Sequence, residues 1–120
     1  MNQESRKKTR VKVRNCITNT PAGLCQLLNI NSDGLSLKCF KKWSFSREWS
    51  LDIYDTSGLI LEQFQVKKIW EKCLTNPMVP GQFSMIVGVA FHNLSGSQKE
   101  QLDSYVRQLI WQKKIIFDHH

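Results

Sequence analysis

The chain has 120 residues, of which 41% are hydrophobic and 22% charged, and it carries a net charge of +7. This is one domain's worth, enough to bury a core without disulfide or metal staples, since roughly two-thirds of the unfolded surface is lost on folding at this size. No apolar run approaches the about 20 residues that span a bilayer, and the N-terminal MNQESRKKTR has no apolar stretch behind it. Neither a transmembrane helix nor a secretory signal is expected, and a cytoplasmic location is.

Residues 1–9 are polar and free of large apolar groups, so they read as a flexible basic arm. From Arg10 the pattern changes: Val11, Val13, Cys16 and Ile17 interleave with Lys12, Arg14 and Asn15, close to the period of two of a half-buried strand. TNTPAG (18–23) supplies turn chemistry, with Pro21 and Gly23 as punctuation. Leu24–Ile30 is a second strand, and Asn31-Ser32-Asp33-Gly34 is a hairpin signal leading into Leu35, Leu37 and Cys39 as a third. Residues 40–48 are irregular. Trp49, Leu51 and Ile53 alternate with polar neighbours, and Asp55–Gly58 is a turn. Leu59–Lys72 forms a long strand with a bulge expected near Gln65–Lys68. After a Pro- and Gly-rich loop over residues 75–82, Phe83–Phe91 alternates cleanly, and Gly88 in its interior predicts a bend or a close contact.

The end of the chain has a different period. Ser97-x-x-Glu100 matches a capping box, and Leu102, Tyr105, Val106, Leu109 and Ile110 form the stripe of an amphipathic helix over about residues 95–115. The expected fold is all-β: a six- to seven-stranded antiparallel β-barrel over residues 10–117, with one C-terminal α-helix packed against it.

Little here points to catalysis. His92 stands alone, His119 and His120 end the chain, and the acids are scattered. Cys16, Cys25, Cys39 and Cys73 lack the short spacing of a zinc site, so they read as reduced cysteines buried mostly in strands. The chain is read as a non-enzyme without cofactor or metal.

Binding has more support. Residues 1–15 hold six cations against one acid, which is +5 of the net +7, and such concentration calls for an anionic partner. Arg6 and Arg10 are spaced i, i+4 ahead of the first strand. A guanidinium fork suits a phosphate or the O6/N7 edge of guanine. Asn29 and Asn31 sit at a strand-to-turn junction, where alternation points them to one face, and Gly34 allows close backbone approach.

In order and separation these elements resemble the PilZ domain family, whose signature is RxxxR followed about twenty residues later by [D/N]xSxxG. Here RKKTR (Arg6 to Arg10) matches the first and Asn29-Ile30-Asn31-Ser32-Asp33-Gly34 the second, with Asn31 in place of the serine. Residues 88–106 (GVAFHNLSGSQKEQLDSYV) are similar to the family's last strand, loop and helix start. The resemblance implies a bacterial second-messenger receptor that binds cyclic di-GMP through Arg6, Arg10, Asn29, Asn31 and Gly34. It further implies that binding is relayed as a conformational change to an unidentified downstream protein.

Two other readings stay open. One is a small nucleic-acid-binding barrel that stacks bases on Trp43, Phe45 or Trp49, a partner ranked below a nucleotide. The other is a PilZ-like interaction module using Trp111, Ile115, Ile116 and Phe117 in the C-terminal tail, as a monomer or weak dimer.

Overall fold

Alternation of apolar and polar residues builds seven strands among the described residues, and the segment with helical period builds a helix. In the computed structural model residues 10–21, 23–40, 46–75 and 83–118 are described, without side chains at residues 75, 83–84 and 113–118. The strands are β1 (Val11–Lys12), β2 (Ile17–Thr20), β3 (Gly23–Ile30), β4 (Gly34–Cys39), β5 (Glu48–Asp55), β6 (Gly58–Thr75) and β7 (Phe83–Phe91), and the helix is α1 (Gly96–Asp118). All pairings are antiparallel, in the order β1-β3-β2-β5-β6-β7-β4, and β4 pairs β3 as well as β7. That last pairing closes six strands into a barrel, with β1 as an extra strand beside β3. Closure leaves no long open edge among the described residues.

Inward positions make one core. Leu27, Ile30, Leu35, Leu37, Leu51, Ile53, Phe64, Val66, Val87 and Val89 are fully buried, and Phe64 meets Phe91 edge-to-face at 5.9 Å between ring centroids. The helix presents Leu102, Tyr105 and Val106 to this core, with Leu109 partly covered at its margin. Cys16, Cys25 and Cys39 are buried thiols and Cys73 is exposed. No helix among the described residues is long and apolar enough to cross a membrane.

Several local expectations are corrected. The first strand is not continuous from Arg10 to Ile17: Asn15 adopts a left-handed φ of 62° and splits it into β1 and β2. A short polar side chain tolerates that conformation. Residues 18–20 are strand rather than turn. Thr18 and Thr20 face inward, and their hydroxyls donate to the Cys25 and Gly23 carbonyls at 3.2 and 2.9 Å.

On β6 the bulge expected near Gln65–Lys68 is present directly after Lys68, and the strand carries others upstream. Glu62 and Gln63 oppose Asp52, whose carboxylate accepts from the Gln63 amide at 2.7 Å, and Ile69 is the extra residue opposite β7. The capping box uses Ser95 and Gln98: the Gln98 amide donates to Ser95 Oγ and the Ser95 amide to Gln98 Oε1, each at 3.1 Å. Ile110 turns away from the core and is 49% exposed.

Candidate functional site

The short strand β1 exists because two valines anchor it. Val11 and Val13 are buried, so their neighbours Arg10, Lys12 and Arg14 are left on the outer side. Val11 pairs with Ile30 and Lys12 with Asn29, and the Val13 amide donates to the Leu28 carbonyl at 2.9 Å. Leu28 is itself an extra residue in β3, since Leu27 pairs with Leu37 while Asn29 pairs with Ser36. This bulge resets the alternation of β3, so that Ile30 enters the core and Asn29 faces outward beside β1. There the Arg10 guanidinium donates from Nη1 to Asn29 Oδ1 at 3.2 Å.

Arg10 and Asn29, nineteen positions apart in the chain, are thus joined directly. Asn31 has a different position. It is buried, and its Oδ1 accepts from the Asp33 and Gly34 amides at 2.8 and 2.9 Å, while its own amide donates to the Gly34 carbonyl at 2.9 Å. The side chain closes its own turn in the manner of an Asx-turn. Gly34 lies at the β4–β7 seam opposite Ala90, where a Cβ would collide with the Val89 carbonyl oxygen and sit 3.2 Å from the Ala90 Cα. Its missing side chain lets two strands approach each other. Arg6, Trp43 and Phe45 lie outside the described residues, as do the side chains of Ile115, Ile116 and Phe117.

Lys12 was not singled out from the sequence. Its pairing with Asn29 sets a second cation beside the Arg10 contact, and the alternation Arg10-x-Lys12-x-Arg14 on one strand was the signal available. A cleft of about 560 Å³ adjoins the far side of the Asn31–Gly34 turn, between Ser32, Asp33, His92, Lys99 and Asp103. Its two carboxylates against one ammonium make it a poor anion site. His92 Nε2 is 3.0 Å from Glu48 Oε1.

Two buried pairs titrate away from their ordinary values. Burial pushes the Cys16 thiol up, and burial together with the Cys16 contact pushes the Tyr105 hydroxyl up. In the Cys25–Cys39 pair, whose sulfurs lie 2.8 Å apart, the hydrogen bond between the thiols and then burial hold Cys39 protonated. Among the described residues no group of three or more His, Cys, Asp or Glu could hold a metal ion. The arrangement can therefore bind an anion with a hydrogen-bonding edge; it offers a fork, an ammonium and a carboxamide on one open face.

A closed six-stranded barrel with an added N-terminal strand and a C-terminal helix is the architecture of PilZ domains. The PilZ domain of YcgR from Escherichia coli, solved with c-di-GMP, matches at a TM-score of 0.66 and 14% identity over 94% of this chain and 97% of that one. The K. pneumonia MrkH–c-di-GMP complex matches at 0.71 and 13%, over 91% of this chain and 54% of that one. An uncharacterised Legionella protein matches at 0.62 and 12%, over 88% and 98%. At these identities the likeness is one of fold, and this chain spans about half the length of MrkH. No family model and no curated protein matches the chain.

Proposed function

We propose that the chain is a bacterial cyclic di-GMP receptor rather than an enzyme, acting in the cytoplasm and passing the signal to a partner protein. The observation that carries this reading is the Arg10–Asn29 contact beside Lys12, set on a barrel whose solved counterparts YcgR and MrkH were obtained with that ligand. Cyclic di-GMP offers phosphates for the cations and guanine edges for both the guanidinium fork and the carboxamide. Arg6 would bring a second guanidinium from the arm. Gly34 and Asn31 would contribute through the turn they shape, with Asn31 replacing the signature serine.

Signal transfer has a physical route in this reading. β1 is only two residues long and packs against both β3 and α1. Ligand bound through Arg10 would stabilise β1 and the arm before it, and α1 would register the change. The distal part of α1 exposes Ile110 and Trp111, at 49% and 63%, which suits contact with a downstream protein.

The test is calorimetric titration with cyclic di-GMP, with GTP as a charge control. Saturable binding of the cyclic dinucleotide, weaker binding of GTP, and a loss of about 10- to 150-fold in folded Arg10→Ala are expected. Equal binding of both nucleotides would reduce the site to a generic anion patch.

A further inference from the structure

Cys25 and Cys39 lie fourteen positions apart in the chain, and their sulfurs are 2.8 Å apart in the core. The β3–β4 register explains the contact. Gln26 pairs with Lys38, so one further step sets Cys25 opposite Cys39. The Leu27 amide donates to the Cys16 carbonyl at 3.1 Å, so β3 turns the backbone groups of Leu27, and of Cys25 two residues away, toward β2. Toward β4, Cys25 therefore occupies a non-hydrogen-bonded position, where facing Cα atoms stand about 4.5 Å apart and side chains approach most closely. That spacing lies within the range of about 4.4–6.8 Å that a disulfide bridges without backbone movement.

The two thiols are not equivalent. The hydrogen bond with Cys39 lowers the pKa of Cys25 below its ordinary value against the opposing effect of burial, and Thr20 Oγ1 adds a contact at 3.7 Å. Cys39 keeps its proton. The thiol better able to ionise thus has a resolving thiol already in contact. Both cysteines are 2% exposed, but they stand near strand ends: Cys39 is the last residue of β4, and Cys25 follows by two the Gly23 that begins β3. Strand ends open at a lower free energy than strand centres, which gives a small oxidant access. The other two thiols have different settings, Cys16 against the Tyr105 hydroxyl and Cys73 exposed.

We infer that Cys25 and Cys39 are an oxidisable dithiol, which a hydroperoxide converts to a disulfide joining β3 to β4 within the folded barrel. The Cys25 thiolate attacks the distal oxygen of the hydroperoxide. The O–O bond breaks, the departing oxygen takes up the proton that Cys25 released, and Cys25 becomes a sulfenic acid. Cys39 Sγ then attacks Cys25 Sγ; the S–S bond forms, the S–O bond breaks, and hydroxide leaves as water with the Cys39 proton. Two thiols lose two electrons in all, and one hydroperoxide is reduced to water and an alcohol, or to two waters. The bond closes a loop that contains Asn29, Asn31 and Gly34, and it restrains the unfolded chain more than the folded one, whose sulfurs already meet.

The experiment treats the folded chain with hydrogen peroxide in a Cys73→Ser background, which removes the exposed thiol that could link two chains. After the peroxide is removed, thiols are counted in denaturant and the disulfide is located by peptide mass spectrometry. The count should fall from three to one, with the mass of two hydrogens lost, a linkage between Cys25 and Cys39, and full recovery with dithiothreitol. The oxidised chain should melt about 5–15 °C higher, the gain for a loop of this length, and return to its former midpoint on reduction. In Cys39→Ser, which lacks the resolving thiol, the sulfenic acid should persist on Cys25 and be trapped by dimedone. Three thiols retained by the folded chain, or a disulfide that involves Cys16, would overturn the pair. So would oxidation that proceeds only in urea, or an oxidised chain that melts lower than the reduced one, since either would mean that the native barrel does not accommodate the bond.

Discussion

Cys16 Sγ lies 3.3 Å from the Tyr105 hydroxyl, a contact between residues 89 positions apart that ties the break between β1 and β2 to the middle of α1. Burial raises both groups above their ordinary values of 9.0 and 10.0. The folded chain therefore keeps both protons at a pH where the unfolded chain has begun to lose them. This stabilisation is fully present below about pH 9 and declines as pH rises through and beyond that range, by up to about 1.4 kcal/mol per pH unit for each group. Urea unfolding at pH 7.5, 9 and 10.5 should show the fall. Tyr105→Phe should flatten it above pH 10, at the expense of about 1 kcal/mol at neutral pH for the lost hydrogen bond. An equally steep decline in Tyr105→Phe would assign it to other groups.

The Arg10–Asn29 hydrogen bond makes the two side chains one unit, so their effects on nucleotide binding should not add. On the proposed reading Asn29→Ala would remove a base-edge partner, and it also frees the guanidinium that Asn29 holds. In a double-mutant cycle with Arg10→Ala, a coupling of about 0.5–3 kcal/mol is expected. Arg10→Lys keeps the charge but loses the planar fork, and should recover less than half of the lost binding free energy. Full recovery by lysine would mean that the site reads charge alone.

Asn31 illustrates how a motif position can serve the fold. Its Oδ1 closes the turn onto two backbone amides, so removing it leaves both without that acceptor. Asn31→Ala should destabilise the chain by about 1–3 kcal/mol, and Asn31→Asp, which retains an acceptor oxygen, by less. Asn31→Ser should hold the turn more weakly than asparagine, because the hydroxyl makes a shorter and weaker bridge. Denaturant midpoints measure this order. Stability unchanged in the alanine variant would remove the turn role.

The barrel was legible because its strands obey a period of two wherever one face meets the core. Trp49, Leu51 and Ile53, or Met85, Val87 and Val89, show their inward side by residue type alone. What stayed hidden depended on partners remote in sequence. Nothing around Leu28 announces a bulge, because the extra residue is defined only by its register against β4. Thr18 and Thr20 look like turn residues until β3 supplies carbonyls for their hydroxyls. Ser95–Gln98 and Ser97–Glu100 are equally good capping boxes on paper; the backbone leaving β7 decides between them. At the site, Arg10 and Asn29 could be read as a pair, whereas Lys12 required the strand pairing to bring it onto the same face.

Gly34 provides the sharpest division between fold and ligand. Its φ is not in the left-handed region, so alanine there is no backbone strain in itself. The obstacle is the Val89 carbonyl and the Ala90 Cα of the facing strand, which a methyl group can avoid only if β4 and β7 move apart. These are backbone atoms within a closed sheet, and they cannot give way as a flexible side chain would. Gly34→Ala should therefore destabilise the barrel by at least about 1–3 kcal/mol, the cost of overpacking a tight site, which would lower the thermal midpoint by about 4–8 °C per kcal/mol for a domain near this size. The same displacement would disturb the Asn31 turn, since Gly34 is both its amide donor and its carbonyl acceptor. Nucleotide affinity in Gly34→Ala should fall with stability and recover at lower temperature as the folded fraction rises. A variant that melts like the unmodified chain yet fails to bind would instead place Gly34 against the ligand itself.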